Sequence, residues 1–375
     1  MRKGLYLVAI LFLMIYLTAC QKELPDSFTT KMDEIKATWA PDKRTSVFEY
    51  KTEFTEGMWK IEGETSIPEA FQQVNKLVQT TLPEDEINMN FQLLPPKEFA
   101  DTTNALVNVS VGNLRSKPSH RAELVDQVLM GMRVKLLKAH SYWYLVQTPT
   151  NYLGWTTRGT LERVSDSDLK KWQESEKLSL NTNYAQIFME KSEKSQVISD
   201  LVLGSIVKKI KVEDVWAEIE LPDGREGFIK SENLLSYQMA AQSTAADRNR
   251  LIERAKTMMG IPYMWGGHST KAFDCSGFTS TVFRTEGIQL PRDASMQVKL
   301  GEEVIADSNY TNVIAGDLIF FGSSKSITHV GICLGGSSFI HCSGDVHINS
   351  LDENDELFNA YRKRTFRYIK RIIKN

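Results

Sequence analysis

Apolar residues come in four rhythms along this chain. The first is an unbroken block from Gly4 to Leu17, led by Arg2 and Lys3. A block this short behind a basic start is a targeting segment rather than a comfortable bilayer span. Residues 1–19 are therefore set aside as a signal peptide, and residues 20–40 read as a tether. The second rhythm mixes periods. Alternation over Val47 to Phe54 and Met58 to Glu64, around Glu56-Gly57, predicts two strands. Ser66 caps a helix with Pro68 in its first turn and Ala70, Val74, Leu77 and Val78 at helical spacing. Ile87 to Leu94 returns as a strand before Pro95-Pro96. Residues 41–100 are thus a small α+β unit, read as a structural spacer.

The third rhythm is repeated. Gly131, Val134, Trp143, Gly154, Trp155 and Leu161 recur as Gly204, Val207, Trp216, Gly227, Phe228 and Leu234, at a constant offset of 73 residues. Agreement at six positions without a change of spacing marks an internal repeat. Each copy consists of short alternating apolar runs with turn residues between them, which predicts a small β-barrel of about 60 residues. The pattern Asn113-Leu114-Arg115, Gly131, Trp143, Gly154-Trp155 resembles the bacterial SH3-like domain, over residues 106–165 and, less sharply, 178–237. That resemblance implies either a wall-peptide binder or a scaffold for a neighbouring enzyme. Ser165 to Lys177 is a charged, helical connector.

The fourth rhythm begins near Ala245. Asp247 caps a helix, Gly260 ends it, an apolar helical segment follows Cys275, and Asp293 opens another short helix. From Gly316 onward come strands, the last at Phe366 to Ile373. Helices first and then an antiparallel sheet predict an α+β domain over residues 243–375. The expected fold class is multidomain: an α+β N-terminal unit, two SH3-like barrels and a C-terminal α+β domain.

Length and charge bound the function. The chain has 375 residues, enough for several domains, and a formal net charge of -2. Without a basic block, nucleic-acid binding has no electrostatic support. Leu17-Thr18-Ala19-Cys20 resembles a bacterial lipobox, which implies lipidation of Cys20; an uncleaved anchor helix is the alternative. Either places the chain in the cell envelope, outside the cytoplasmic membrane, facing the periplasm or the cell surface. Three cysteines remain, Cys275, Cys333 and Cys342, an odd number that points to a free thiol. By strand alternation Cys333 and Cys342 face opposite ways, so no disulfide is expected.

Cys275 lies between a polar loop and a helix, with His329 and His341 in strand-like runs downstream. This is the set a cysteine peptidase needs. A helix N-terminus and a nearby imidazolium favour thiolate. His329 is the expected base and then acid, and His341 orients it. Backbone N–H groups at the helix start, with the Tyr263 hydroxyl, would hold the oxyanion. A zinc site built on the same cysteine and histidines lacks paired ligand spacing, so neither metal nor cofactor is expected. His268, His347, His120 and His140 read as surface residues, and Cys333 as a small buried hydrophobe.

Six pieces in order, Pro262-Tyr263-x-Trp265-Gly266-Gly267, Asp274-Cys275-Ser276-Gly277, Leu290-Pro291-Arg292, Gly316-Asp317-Leu318, His329-Val330-Gly331-Ile332 and Phe339-Ile340-His341, make residues 245–375 resemble the NlpC family of papain-like cell-wall peptidases. With the two SH3-like units, the layout resembles the γ-D-glutamyl-L-diamino-acid endopeptidases. The resemblance implies a monomer acting on peptidoglycan-derived peptides and held to a membrane by its lipid. It also implies that Asp274 and Ser276 hold the amine of an N-terminal L-alanine, with Ser295 replacing a serine the family often has where Ala294 stands. Trp265 either packs the loop or contacts substrate. From the first SH3-like domain, Glu123 and either Tyr152 or Trp155 would close the amine pocket. The same fold hosts amidases and acyltransferases, and a non-catalytic wall-binding lipoprotein is a further alternative.

Overall fold

The computed structural model describes residues 26–237 and 246–374, which fall into two compact units. The smaller unit contains the residues up to Pro41 and Phe48–Gln92; the larger contains Asp42–Val47 and everything from Leu93 onward. Signal peptide, lipobox and Cys20 lie outside the described residues.

In the smaller unit, strands β1 (Phe48–Thr55), β2 (Met58–Thr65) and β3 (Ile87–Leu93) form an antiparallel sheet in that order. Helices α1 (Asp26–Trp39) and α2 (Pro68–Thr81) pack with it, around Phe28, Met32, Phe48, Trp59, Ile61, Ala70 and Val74. Two expected boundaries are corrected here. Most of the presumed tether is helix, because Phe28 and Met32, four residues apart, are fully buried in this core. The unit also ends earlier than residue 100: Leu94 and Phe99 are buried in clusters of the larger unit.

The larger unit opens with two barrels of one topology. The first holds β4 (Asn104–Val107), β5 (Val111–Arg115), β6 (Leu124–Leu129), β7 (Arg133–His140), β8 (Trp143–Gln147), β9 (Leu153–Thr157) and β10 (Leu161–Val164). Its sheet order is β10-β4-β7-β8-β9-β5-β6. The second, β11 (Lys177–Leu180) to β17 (Leu234–Ser236), repeats that order strand for strand. Gly131 and Gly204 both turn with positive φ, +78° and +84°, the left-handed region that glycine enters without a Cβ penalty. Helix α3 (Asp166–Glu174), capped by Ser165, joins the barrels.

The C-terminal domain is α+β. Helices α4 (Arg248–Lys256), α5 (Cys275–Thr285) and α6 (Ala294–Gln297) come first, with a two-stranded ribbon of β18 (His268–Ser269) and β19 (Ala272–Phe273) before α5, and the short strand β20 (Glu302–Glu303) then opens a six-stranded antiparallel sheet. Its other strands are β21 (Leu318–Gly322), β22 (Ile327–Gly335), β23 (Ser338–Ser343), β24 (Asp345–Ser350) and, after the short α7 (Ala360–Thr365), β25 (Phe366–Arg371), in the spatial order β20-β25-β21-β22-β23-β24. Strand alternation divides the sheet residues between two cores. Leu318, Phe320, Val330, Ile332, Ile340 and Cys342 pack with α5, while Ile319, Phe321, Cys333 and Phe339 form a second cluster. Cys333 and Cys342 therefore lie in different cores, and both are free thiols.

Candidate active site

Cys275 is the first residue of α5, and Asp274 is its N-cap, accepting from Gly277 N at 2.7 Å. Glycine is required at 277 because a Cβ there would collide with the Gly267 carbonyl. The helix end is thus clamped against the Pro262–Gly267 loop, and the thiol is fixed at the loop–helix junction. The backbone N–H groups of Ser276 and Val330 face the sulfur. Val330 follows His329 in β22, so this contact joins the nucleophile's helix end to the strand that carries the base.

Hydrogen bonds then run away from the thiol. His329 Nε2 lies 2.8 Å from His341 Nδ1, His341 Nε2 lies 3.0 Å from Asn349 Oδ1, and Asn359 Nδ2 donates to the same Oδ1 at 2.9 Å. Asn359 Oδ1 in turn accepts from the Arg362 backbone N–H at 3.0 Å. A backbone N–H can only donate, so it fixes every proton upstream. Asn359 presents its NH₂ to Asn349, which leaves an acceptor oxygen for His341. His341 therefore carries its proton on Nε2 and accepts from His329 Nε2–H. His329 is left with a bare Nδ1, the tautomer a base needs. Asn349 and Asn359 were not singled out in the sequence. Asn349 stands two residues from His347, the cross-strand partner of His341, but nothing local marks it as a ligand of the imidazole.

The surroundings of Cys275 work against the expected thiolate. Burial, then the Asp274 carboxylate, push the Cys275 thiol up to about 12, against the pull of the Val330 and Ser276 amides and Arg292. Burial, then the Arg362 charge, hold His329 well below its ordinary range. Burial pushes His341 down to about 3. Burial disfavours the charged form of both groups, and at Cys275 it outweighs the pull of the amides at the helix start. Burial and the neighbouring Cys275 also raise the Tyr263 hydroxyl, which keeps it a proton donor at the cleft.

The first barrel supplies the opposite wall. Trp265 is 64 % exposed, and its Nε1 donates to Glu123 Oε1 at 2.8 Å, so Trp265 and Glu123 stand together at the rim. The Tyr152 hydroxyl donates to Asp293 at 3.1 Å, and Arg44 reaches the same carboxylate at 2.7 Å and Ser295 Oγ at 3.0 Å. Trp155 is elsewhere: three residues along β9, it packs with Val47, Leu94, Leu137 and Leu145. Of the two aromatic candidates, only Tyr152 reaches the peptidase domain.

Behind this rim is a buried charge cluster that sequence reasoning missed. Arg292 Nη1 and Nη2 bind Asp274 at 3.0 and 2.5 Å, and Nη1 also reaches Ser276 Oγ at 3.0 Å. Arg292 Nε sits 2.7 Å from Asp126 of β6, an ion pair without hydrogen-bond alignment. Asp126 Oδ1 is also 2.9 Å from His268 Nδ1. His268 is therefore not a surface residue; its side chain is 12 % exposed. Burial keeps it below its ordinary pKa against the pull of Asp126. A neutral His268 leaves Asp126 and Asp274 balanced by Arg292 and Arg284, whose charge acts on both Asp126 and His268. Asp274, expected to hold a substrate amine, has both oxygens engaged: Oδ1 by Gly277, Ser276 and Arg292, and Oδ2 by Gly266 and Arg292.

A helix-borne thiol, a strand-borne histidine held by a second histidine, and an SH3-like wall define a papain-like cysteine peptidase. Residues 260–367 match the NlpC/P60 family, and residues 110–162 match the bacterial SH3 domain. The chain thus carries an NlpC/P60 cysteine peptidase domain behind a bacterial SH3 domain. It is 29% identical over 266 residues to dipeptidyl-peptidase 6 of Lysinibacillus sphaericus, covering 68% of this chain and 94% of that protein. It is also 29% identical over 226 residues to γ-D-glutamyl-L-lysine dipeptidyl-peptidase of Bacillus subtilis, covering 57% and 71% respectively. A crystal structure of an NlpC/P60 family protein from Bacillus cereus has the same fold, with a TM-score of 0.63 and 22% identity over 72% of this chain and all of the other.

Proposed function

We propose that this enzyme hydrolyses peptidoglycan stem peptides, cutting the γ-D-glutamyl–L-diamino-acid bond of peptides with a free N-terminal L-alanine. The observation that carries this is the barrel wall at the cleft. Glu123 on Trp265 at 2.8 Å, and Tyr152 on Asp293 at 3.1 Å, support an acidic, aromatic end stop contributed by the barrel. An ammonium at such a stop gains charge-assisted hydrogen bonds. A glycan-linked alanine is amidated and bulky, and would gain neither the charge nor the fit. The name of the Bacillus subtilis relative, a γ-D-glutamyl-L-lysine dipeptidyl-peptidase, supports this bond.

The chemistry follows from the proton order. His329 Nδ1 takes the Cys275 proton as the sulfur attacks the γ-carbonyl, so thiolate forms only during attack. The oxyanion meets the Tyr263 hydroxyl and the N–H groups at the start of α5. His329 then protonates the leaving amine, the C–N bond breaks, and water, deprotonated by the same imidazole, hydrolyses the thioester. His341 and Asn349 hold His329 in its working tautomer throughout.

Incubation with L-Ala-γ-D-Glu-L-Lys and with intact sacculi, read by mass spectrometry, tests this. Release of L-Ala-D-Glu from the free tripeptide alone is expected, and is lost in Cys275→Ala. Efficient cutting of glycan-linked stems would contradict the end stop. We also propose lipid anchoring through Cys20, on the strength of the Leu17-Thr18-Ala19-Cys20 pattern. Cys20→Ser should leave an unprocessed precursor, and an N-terminal peptide without lipid mass in the native protein would refute the anchor.

A further inference from the structure

The cleft wall beyond His329 carries a cation that no carboxylate answers among the described residues. Arg362 lies in α7, whose N-cap Asn359 is the end of the histidine relay. Its Nη2 donates to Ser343 Oγ at 3.1 Å, and its guanidinium carbon lies 5.4 Å from the ring centres of both Phe321 and Tyr361. Ser343 is two residues from His341 on β23, so the two side chains share a face. Phe321 is paired directly with His329 across β21 and β22, with ring centres 5.7 Å apart. The guanidinium therefore stands on the sheet face that carries both histidines. Its charge is felt at the reaction centre, where it helps hold His329 and His341 down.

Arg292 is paired with Asp274 and Asp126, and the partly exposed Arg371 with Asp317. Arg362 makes no ion pair among the described residues. Partial burial of a guanidinium without a counter-charge is unfavourable, and that burial lowers its pKa. Stacked between two rings and held by Ser343, it is pre-organised as a planar fork for an incoming carboxylate.

We propose that Arg362 receives a carboxylate of the amino acid on the leaving side of the scissile bond. This rests on the stem-peptide function proposed above. The side follows from the chemistry. His329 delivers its proton to the leaving amine, so the wall beyond His329 faces the leaving residue. At the barrel rim the free carboxylate is Glu123, since Asp293 is answered by Arg44. An acidic end for the ammonium and a basic end for a carboxylate suit a short free peptide lying in one direction. The carboxylate is either the α-carboxylate of the leaving residue or the side-chain carboxylate that a diaminopimelate residue has and lysine lacks.

Four peptides separate these sources: L-Ala-γ-D-Glu-L-Lys and L-Ala-γ-D-Glu-meso-diaminopimelate, each with its α-carboxyl free or amidated. Wild type should favour the peptide with the contacted carboxylate by roughly 10- to 100-fold in kcat/KM, the range of a charge-assisted hydrogen bond. Arg362→Met should bring that ratio close to one, and Arg362→Lys should keep part of it. A preference for free acid in both series assigns the α-carboxylate. A preference for diaminopimelate that survives amidation assigns the side chain. Equal rates on all four with wild type, or a ratio unchanged in Arg362→Met, would overturn the proposal. So would a uniform loss on all four, the mark of a residue that only tunes His329. If wild type cleaves none of them, the stem-peptide function falls and this inference falls with it.

Discussion

Arg292 of the peptidase domain and Asp126 of the first barrel are both buried, and they meet Nε to Oδ1 at 2.7 Å. The same guanidinium holds both oxygens of Asp274, the cap of the nucleophile's helix. The barrel is thereby coupled to the residue beside the thiol through a single side chain. Removing one partner of such a pair leaves an uncompensated buried charge.

Asp126→Ala should therefore destabilise the larger unit by about 3–5 kcal/mol. Arg292→Lys should lower kcat/KM at least about tenfold, because one ammonium cannot serve two carboxylates with a fork's geometry. Urea unfolding and tripeptide kinetics check the two. An Arg292→Lys enzyme with wild-type kinetics would show that the link to Asp274 does not position the nucleophile.

Asn349 acts on the base through His341. Asn349→Asp puts a carboxylate 3.0 Å from His341 Nε2, which stabilises protonated imidazoles in the relay. Raised histidine pKa values mean the base is freed of its proton only at higher pH. The acid limb of kcat/KM should move to higher pH. Asn349→Leu should instead lower kcat by roughly tenfold with KM little changed, less than the ~10²–10⁴-fold that losing the base itself costs. A pH profile indifferent to Asn349→Asp would refute the relay.

The neutral resting thiol has its own signature. With Cys275 pushed up to about 12 by burial and Asp274, iodoacetamide labelling of free enzyme should keep accelerating well above pH 8.5. A labelling rate already level at pH 7 would mean a thiolate–imidazolium pair in the free enzyme, contrary to the environment described. Cys333 and Cys342, both buried, should label only in urea.

Three histidines, His268, His329 and His341, have folded pKa values depressed by burial. Unfolded, each takes up a proton near pH 6.5. Between the folded and unfolded values the unfolded state binds more protons, so stability rises with pH. Their contribution is complete above about pH 6.5 and is lost as pH falls below it, by up to about 1.4 kcal/mol per pH unit for each histidine. Urea midpoints at pH 7.5 and 5.5 should differ accordingly, and His268→Gln should flatten the slope. A midpoint independent of pH in this range would mean the imidazoles are charged in the fold.

Local pattern carried much of this protein. The repeat with its shared glycines dictated two barrels with one strand order, because turn geometry and strand alternation are short-range constraints. Asp274-Cys275-Ser276-Gly277 marked a capped helix with a thiol at its start, since a cap needs only its next three residues. What the sequence could not convey was which distant polar groups share a buried space. The Phe28 and Met32 helix looked like tether until a core was there to receive it. Asp126 looks like any polar residue of a strand until Arg292, far along the chain, is folded against it. Asn349 becomes part of the site only when the β23–β24 pairing brings it to His341, and the thiol's protonation is set by the desolvation that packing imposes. Burial and long-range pairing are properties of the assembled fold, and they decided the protonation of the site, its second wall and the unpaired Arg362.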